Sequence, residues 1–208
     1  MAPEDRSTRT LEEWAGSQHL NLTLVFTDIV DSTAIGVKLG DRTWIEDLFR
    51  HFSHARFLVV FYDCFVVKVI GDSLMVAFRT STDAVDFAVA FAKDTGVNYI
   101  GIRAGINSGQ VQIKENDIYG LNVNFTSRVQ HSLSQEGILV SSSVKRDYEK
   151  TFGSSSDLRF VPQEVELKSF GKETLWEVDT LAWLEAVDSQ RAARQLLLGG
   201  GRRVRFSF

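Results

Sequence analysis

Asp28 and Asp72 each stand where a β-rich run gives way to a turn, in Leu24-Val25-Phe26-Thr27-Asp28-Ile29 and in Lys68-Val69-Ile70-Gly71-Asp72. A carboxylate at such a place is held on a rigid edge and stays reachable. A single aspartate there most often caps the element that follows. Two that converge can chelate the hard divalent cations that accompany nucleoside triphosphates, because Mg²⁺ and Mn²⁺ favour oxygen ligands and leave positions for phosphate. Asn124 and Arg128 lie four apart in a helical stretch and so share one face.

The elements that must position these residues can be read from periodicity and turn chemistry. The first twenty residues are polar, with one short helical patch at Leu11–Ala15, and are taken as an arm. Leu22 to Thr27 is a buried strand. Ser32-Thr33 caps a helix whose apolar spacing runs through Ile35, Leu39, Trp44, Leu48 and Phe52, broken in two near Lys38-Leu39-Gly40-Asp41. Phe65 to Ile70 and Leu74 to Phe78 form a hairpin around Gly71-Asp72-Ser73. Thr80 to Asp83 caps a helix with Ala84, Phe87, Ala88 and Phe91 on its apolar face. Strands are expected at Ile100–Ile106 and Gln110–Lys114, separated by an Asn107-Ser108-Gly109 turn. A helix at Gly120–Leu133, a strand at Gly137–Val140 and a short helix capped by Ser141 to Ser143 follow. After the Gly153-Ser154-Ser155-Ser156 loop come strands at Leu158–Leu167 and Thr174–Val178. A last helix carries Leu181, Leu184, Val187 and Leu196, and Gly199 to Arg205 is a basic tail. Helices alternating with hairpins, without a repeat, define an α/β sandwich: an antiparallel-rich sheet with flanking helices.

At 208 residues and 44% hydrophobic content the chain can bury one full core. The net charge of -4 gives no basis for nucleic-acid binding or for attraction to an anionic membrane. One cysteine, Cys64, rules out an internal disulfide and a cysteine-rich zinc site, and its apolar setting marks a buried thiol. The start has no signal-peptide pattern and no apolar run is long enough for a bilayer. The expectation is a cytoplasmic protein without membrane insertion.

Four segments, in order and at similar spacing, resemble the catalytic domain of the class III nucleotidyl cyclases, the adenylate and guanylate cyclase family. They are Phe26 to Thr33, Val67 to Asp72, Arg103-Ala104-Gly105-Ile106-Asn107-Ser108-Gly109, and Asp117 to Arg128. The resemblance runs from about Leu22 to Val178 and implies a ferredoxin-like core. The chain is accordingly divided into an arm at 1–20, a catalytic domain at 21–179, and a C-terminal helix and tail at 180–208.

The resemblance also implies roles. Two metal ions, Mg²⁺ or Mn²⁺, would be held by Asp28, Asp72 and the backbone carbonyl of Ile29 and would serve the in-line attack of a ribose 3′-hydroxyl on the α-phosphorus. Asn124 would orient the ribose, and Arg128 would stabilise charge on the α-phosphate through its planar fork. Lys68 and Asp117 match the base-reading positions. A lysine can donate to adenine N1 and a carboxylate can accept from the 6-amino group, a pattern that guanine reverses. The family assembles its sites between two subunits, so a homodimer with two composite sites is implied.

Two departures stand out. The position that often holds the terminal phosphates carries Thr174, with Lys172 two residues earlier as a substitute. Phe125 and Thr126 replace the usual small residues beside Asn124, and such a wall would narrow the nucleotide pocket. The expected activity is a stand-alone nucleotidyl cyclase with ATP favoured. The alternative is a pyrimidine cyclase that makes cyclic UMP or cyclic CMP as an antiphage signal. A rival of another class is an inactive cyclase-like module that binds nucleotide or dimerises, against which the retention of Asp28, Asp72, Asn124 and Arg128 speaks. A polymerase-like palm lacks a template-binding basic surface here.

Overall fold

Alternation in one strand shows how the molecule is layered. Leu22, Leu24 and Phe26 join one buried cluster, whereas Val25 and Ile29 join another on the opposite side. That strand, β1 (His19–Ile29), is central in an eight-stranded sheet of order β2-β3-β1-β4-β6-β8-β7, with β5 paired to β4. The computed structural model describes residues 9–17, 19–153, 157–179 and 181–199. The other strands are β2 (Phe65–Ile70), β3 (Ser73–Phe78), β4 (Ile102–Lys114), β5 (Asp117–Tyr119), β6 (Gly137–Ser141), β7 (Arg159–Leu167) and β8 (Gly171–Asp179). Every neighbouring pair is antiparallel except β4 with β6. The α/β sandwich and its antiparallel-rich sheet are as expected.

One face is covered by α2 (Ser32–Leu39), α3 (Asp41–Phe61), α4 (Ser81–Lys93) and α6 (Ser142–Phe152). Helix α4 starts where Thr80 Oγ1 accepts from the Asp83 amide at 3.1 Å, and it buries Phe87 and Phe91 completely. Each such side chain contributes roughly 2–3 kcal/mol through burial. Gly40, at φ 76°, separates α2 from α3, as the sequence predicts. The other face carries α1 (Leu11–Ala15) and α5 (Leu121–His131). Leu11 and Trp14 of α1 are buried among Leu22, Met75, Val111 and Ile118. Val129 of helix α5, with Leu133 just past its end, packs onto Leu139, Leu167 and Leu175.

The expected turn at Asn107-Ser108-Gly109 does not form. These residues pair with Leu24, Thr23 and Leu22, so β4 runs unbroken from Ile102 to Lys114. Pairing with a buried central strand satisfies more backbone groups than a local turn would, and it overrides the turn propensity. Part of the Gly153–Ser156 loop and the tail beyond Gly199 lie outside the described residues.

The last helix, α7 (Leu181–Leu198), is tied down at Glu136. Arg191 Nε bonds its Oε2 at 2.9 Å, and Arg194 pairs with its Oε1. Burial alone would raise the Glu136 carboxyl pKa, but the bonds from Arg191 and Arg194 outweigh it and hold the value below the ordinary one. Arg194 also reaches Asp31 at 3.3 Å, three residues beyond Asp28. No helix among the described residues is long and apolar enough to cross a membrane.

Candidate active site

Strand register brings the first pair of aspartates together. Thr27 opposes Leu74, which places the end of β1 beside the β2–β3 turn. Asp28 Oδ1 accepts from Ser73 Oγ at 2.8 Å, and Asp72 immediately precedes that serine. Gly71, at φ 63°, supplies the left-handed residue that the tight turn needs. Across β4, Asp28 opposes Arg103 and forms an ion pair with it through Oδ2. The second aspartate is not so provided for: Asp72 Oδ2 is buried without a hydrogen-bond partner. A lone buried carboxylate oxygen is costly, and a divalent cation is the partner that hard oxygen donors suit best. Among the described residues no three His, Cys, Asp or Glu side chains gather to hold a metal, so these two carboxylates require backbone and ligand oxygens to complete a shell.

Lys68 and Asp117 meet although 49 residues separate them: Nζ lies 2.5 Å from Oδ2. Both lie on the face that carries α1 and α5. Lys68 opposes Met75 just past a register shift after Val66, and such an irregularity re-aims side chains on an edge strand. Asp117 follows a two-residue turn in which Glu115 and Asn116 both have positive φ, as a tight hairpin of right-handed twist demands. Its Oδ1 accepts from the Ile118 amide at 2.7 Å. The two side chains keep 36% and 28% exposure, so the pair adds little to stability and remains accessible to a ligand.

Helix α5 supplies the third group. Its start is pinned by Asn122, which accepts from the Asn107 amide group and donates to Gly109 O at 3.3 Å and Leu22 O at 3.4 Å. Its far end passes directly over Gly105, where a Cβ would sit 2.3 Å from the Gln130 amide nitrogen. Between these anchors, Asn124 is exposed and Arg128 half-buried.

The pocket wall expected from Phe125 and Thr126 is corrected for Thr126. Thr126 is fully buried and donates to Asn122 O at 2.7 Å, while Phe125 packs edge-on against Phe170 at 5.1 Å. Helical rotation puts Thr126 opposite the face that Asn124 and Arg128 share, while Phe125 borders that face and is held by Phe170. Thr174 is engaged with Glu164 Oε1 at 2.7 Å, whereas Lys172 is exposed on β8, in the hairpin that Phe170 joins to α5.

The structure therefore forms Asp28 with the β2–β3 turn as one group, Lys68 with Asp117 as a second, and Asn124 with Arg128 as a third. No hydrogen bond joins the third group or Lys172 to the others among the described residues. Arg103 was not singled out from the sequence. Its cationic side chain interrupts an apolar strand, but only register reveals that it faces Asp28. Cys64 is a buried thiol with its pKa raised by desolvation, in keeping with an inert residue.

A model of the adenylate and guanylate cyclase catalytic domain matches residues 15–179, so the chain belongs to that family, whose members are nucleotidyl cyclases, phosphorus–oxygen lyases. Solved structures agree on the fold. The adenylyl cyclase CyaB from P. aeruginosa superposes with a TM-score of 0.68 at 20% identity, covering 78% of this chain and 95% of that one. The catalytic core of a rhodopsin-guanylyl cyclase with converted specificity, in complex with ATPαS, gives 0.67 at 22%, covering 77% and 96%. Among curated relatives, receptor-type adenylate cyclase B of Leishmania donovani is 42% identical over 67 residues, which is 32% of this chain and 5% of that receptor. The chain thus spans only a small part of the length of such relatives.

Proposed function

We propose that the chain converts a nucleoside triphosphate, ATP in the first place, to a 3′,5′-cyclic nucleotide and pyrophosphate in a homodimer with two composite sites. The observation that carries this reading is the buried, partnerless Asp72 oxygen one residue from the serine that holds Asp28. Two divalent cations, Mg²⁺ or Mn²⁺, held there by Asp28, Asp72 and the Ile29 carbonyl, would acidify the attacking hydroxyl and neutralise the triphosphate. Asn124 would orient the ribose. Arg128 would stabilise charge on the α-phosphate as the 3′-oxygen bonds to phosphorus and the bond to the departing pyrophosphate breaks. Arg103, paired with Asp28, places a cation beside the carboxylate at which the triphosphate would be seated. Lys172 is an exposed candidate for the terminal phosphates.

The Lys68–Asp117 pair offers a donor and an acceptor side by side, which matches the N1 and 6-amino edge of adenine. Tyr119 and Leu121, 49% and 76% exposed, flank Asp117 and Asn124 and give a second copy an apolar surface to cover. Incubating the protein with each of the four nucleoside triphosphates and Mn²⁺, then identifying products by mass spectrometry, tests the reading. Cyclic AMP as the main product is expected. Cyclic UMP or cyclic CMP would assign the pyrimidine alternative, and no cyclic product from any nucleotide would leave an inactive nucleotide-binding or dimerisation module.

A further inference from the structure

Helix α1 lies ahead of the segment that the family model matches except for its last residue, Ala15, and it bridges the two strands that carry Lys68 and Asp117. On one side it holds the β4–β5 turn. The Leu11 amide donates to Asn116 Oδ1 at 2.6 Å, and the Asn116 amide donates to Glu12 Oε1 at 2.9 Å, a reciprocal pair at the residue next to Asp117. On the other side it holds the entry to β2. Trp14 Nε1 donates to Asp63 O at 3.2 Å, and its ring meets Phe65 at 5.9 Å, three residues before Lys68. Arg79 completes this side by lying over the Trp14 ring at 4.5 Å while bonding Asp63 Oδ2 at 2.8 Å.

Five residues are too few to hold a helix in water, even with the Thr10–Glu13 capping box. The geometry of α1 therefore depends on its docking. Conversely, β2 and β5 are not paired in the sheet: the ladder links them only through β3, β1 and β4, whereas α1 touches both ends directly.

We propose that α1 is a clasp that sets the spacing of Lys68 and Asp117, making Glu12 and Asn116 positioning residues for base selection. This rests on the reading of Lys68 and Asp117 as the groups that contact the base.

The test uses Glu12→Ala and Asn116→Gly, singly and together, in the full chain. Glycine suits the positive φ of residue 116 and removes the side chain that accepts from the Leu11 amide. Hydrogen bonds that select a base lose discrimination steeply with misplacement, so KM for the preferred nucleotide should rise about fivefold or more. The kcat/KM ratio of the preferred nucleotide to the next best should fall by a similar factor, while kcat and the unfolding midpoint hold. Glu12→Gln, which keeps a carbonyl acceptor for the Asn116 amide, should behave as wild type.

Unchanged KM and selectivity in the folded variants overturn the clasp, as does an equal loss of kcat on every nucleotide. If the double variant folds poorly, the single variants decide. Lys68→Ala run in parallel separates the two layers of the argument. If it leaves KM and selectivity unaltered, the base-reading assignment falls and the clasp with it. If it alters them while the α1 variants do not, only the clasp falls.

Discussion

Asp72 carries a buried side-chain oxygen without a hydrogen bond, and an acceptor left alone in that way costs about 1–3 kcal/mol. A cation bound there would offset that cost. Asp72→Ala is therefore expected to abolish cyclisation, with a loss of roughly 4 kcal/mol or more in transition-state stabilisation. In the metal-free protein it should leave the urea midpoint unchanged or slightly raised. Wild-type turnover by the folded variant would remove Asp72 from the site. His51, whose Nε2 is likewise buried without a hydrogen bond while Nδ1 is bonded to the Thr95 carbonyl, is a titratable residue that packs in the core. It stacks on Phe91 at 4.6 Å, and burial lowers its pKa to about 4, against the Thr95 carbonyl bond that acts to raise it; His54 adds to the lowering. The folded state keeps His51 neutral where the unfolded chain, titrating near 6.5, takes up a proton. Stability from this residue is thus complete above pH 6.5 and is lost as the pH falls toward 4. Urea unfolding at pH 7 and pH 5 should differ by about 2 kcal/mol from this group alone. His51→Gln should flatten that difference, and an equal pH dependence in the variant would show that other groups cause it.

At the scale of elements, the crossing of α5 over β4 is the tightest contact near the site. A Cβ on Gly105 would fall 2.3 Å from the Gln130 amide nitrogen and 2.7 Å from its Cα, both backbone atoms that cannot swing aside. Gly105→Ala should cost about 3 kcal/mol, measured by chemical denaturation, and should depress activity further by displacing Arg128 one half-turn away. A stability within 1 kcal/mol of wild type, to be read against typical surface substitutions of about ±0.5 kcal/mol, would mean that the helix shifts freely on the sheet. Much of this was legible in the sequence because it depends on local chemistry. The Gly40 break, the Thr80 cap and the hairpin at Gly71-Asp72 each announce themselves within a few residues. The turn at Asn107 to Gly109 misled for the same reason: local propensity cannot see that β1 will lie alongside. The Lys68–Asp117 meeting was legible only through motif resemblance. Arg103 facing Asp28, and Asn116 held by Glu12, are products of register and docking between distant segments, which single-sequence patterns do not encode.

For the molecule as a whole, the central expectation is that one copy does not suffice. Asp28→Ala and Arg128→Ala should each be inactive as homodimers. After subunit exchange, random pairing yields half heterodimers, each with one doubly damaged site and one intact site, so about a quarter of wild-type activity should return. Exchange verified by tagged subunits, with no recovered activity, would refute shared sites. The exposed apolar Tyr119 and Leu121, close in sequence to Asp117 and Asn124, are where the proposed assembly would bury surface.

The unbroken pairing of β1 with β4 has a consequence for how the chain comes to be folded. Leu24 and Asn107, 83 positions apart, sit side by side, so the middle of the sheet closes late. Between the synthesis of Ile29 and that of Lys114, a ribosome needs roughly 4 to 17 s at ordinary elongation rates. For that interval β1 has at most one of its two neighbours. Its segment from Leu20 to Phe26 contains neither a charge nor a proline, the residue types that usually discourage strand-to-strand aggregation. The nascent chain is most exposed to misassembly in those seconds, and slower initiation at lower temperature should raise the soluble yield more than any change to the finished surface.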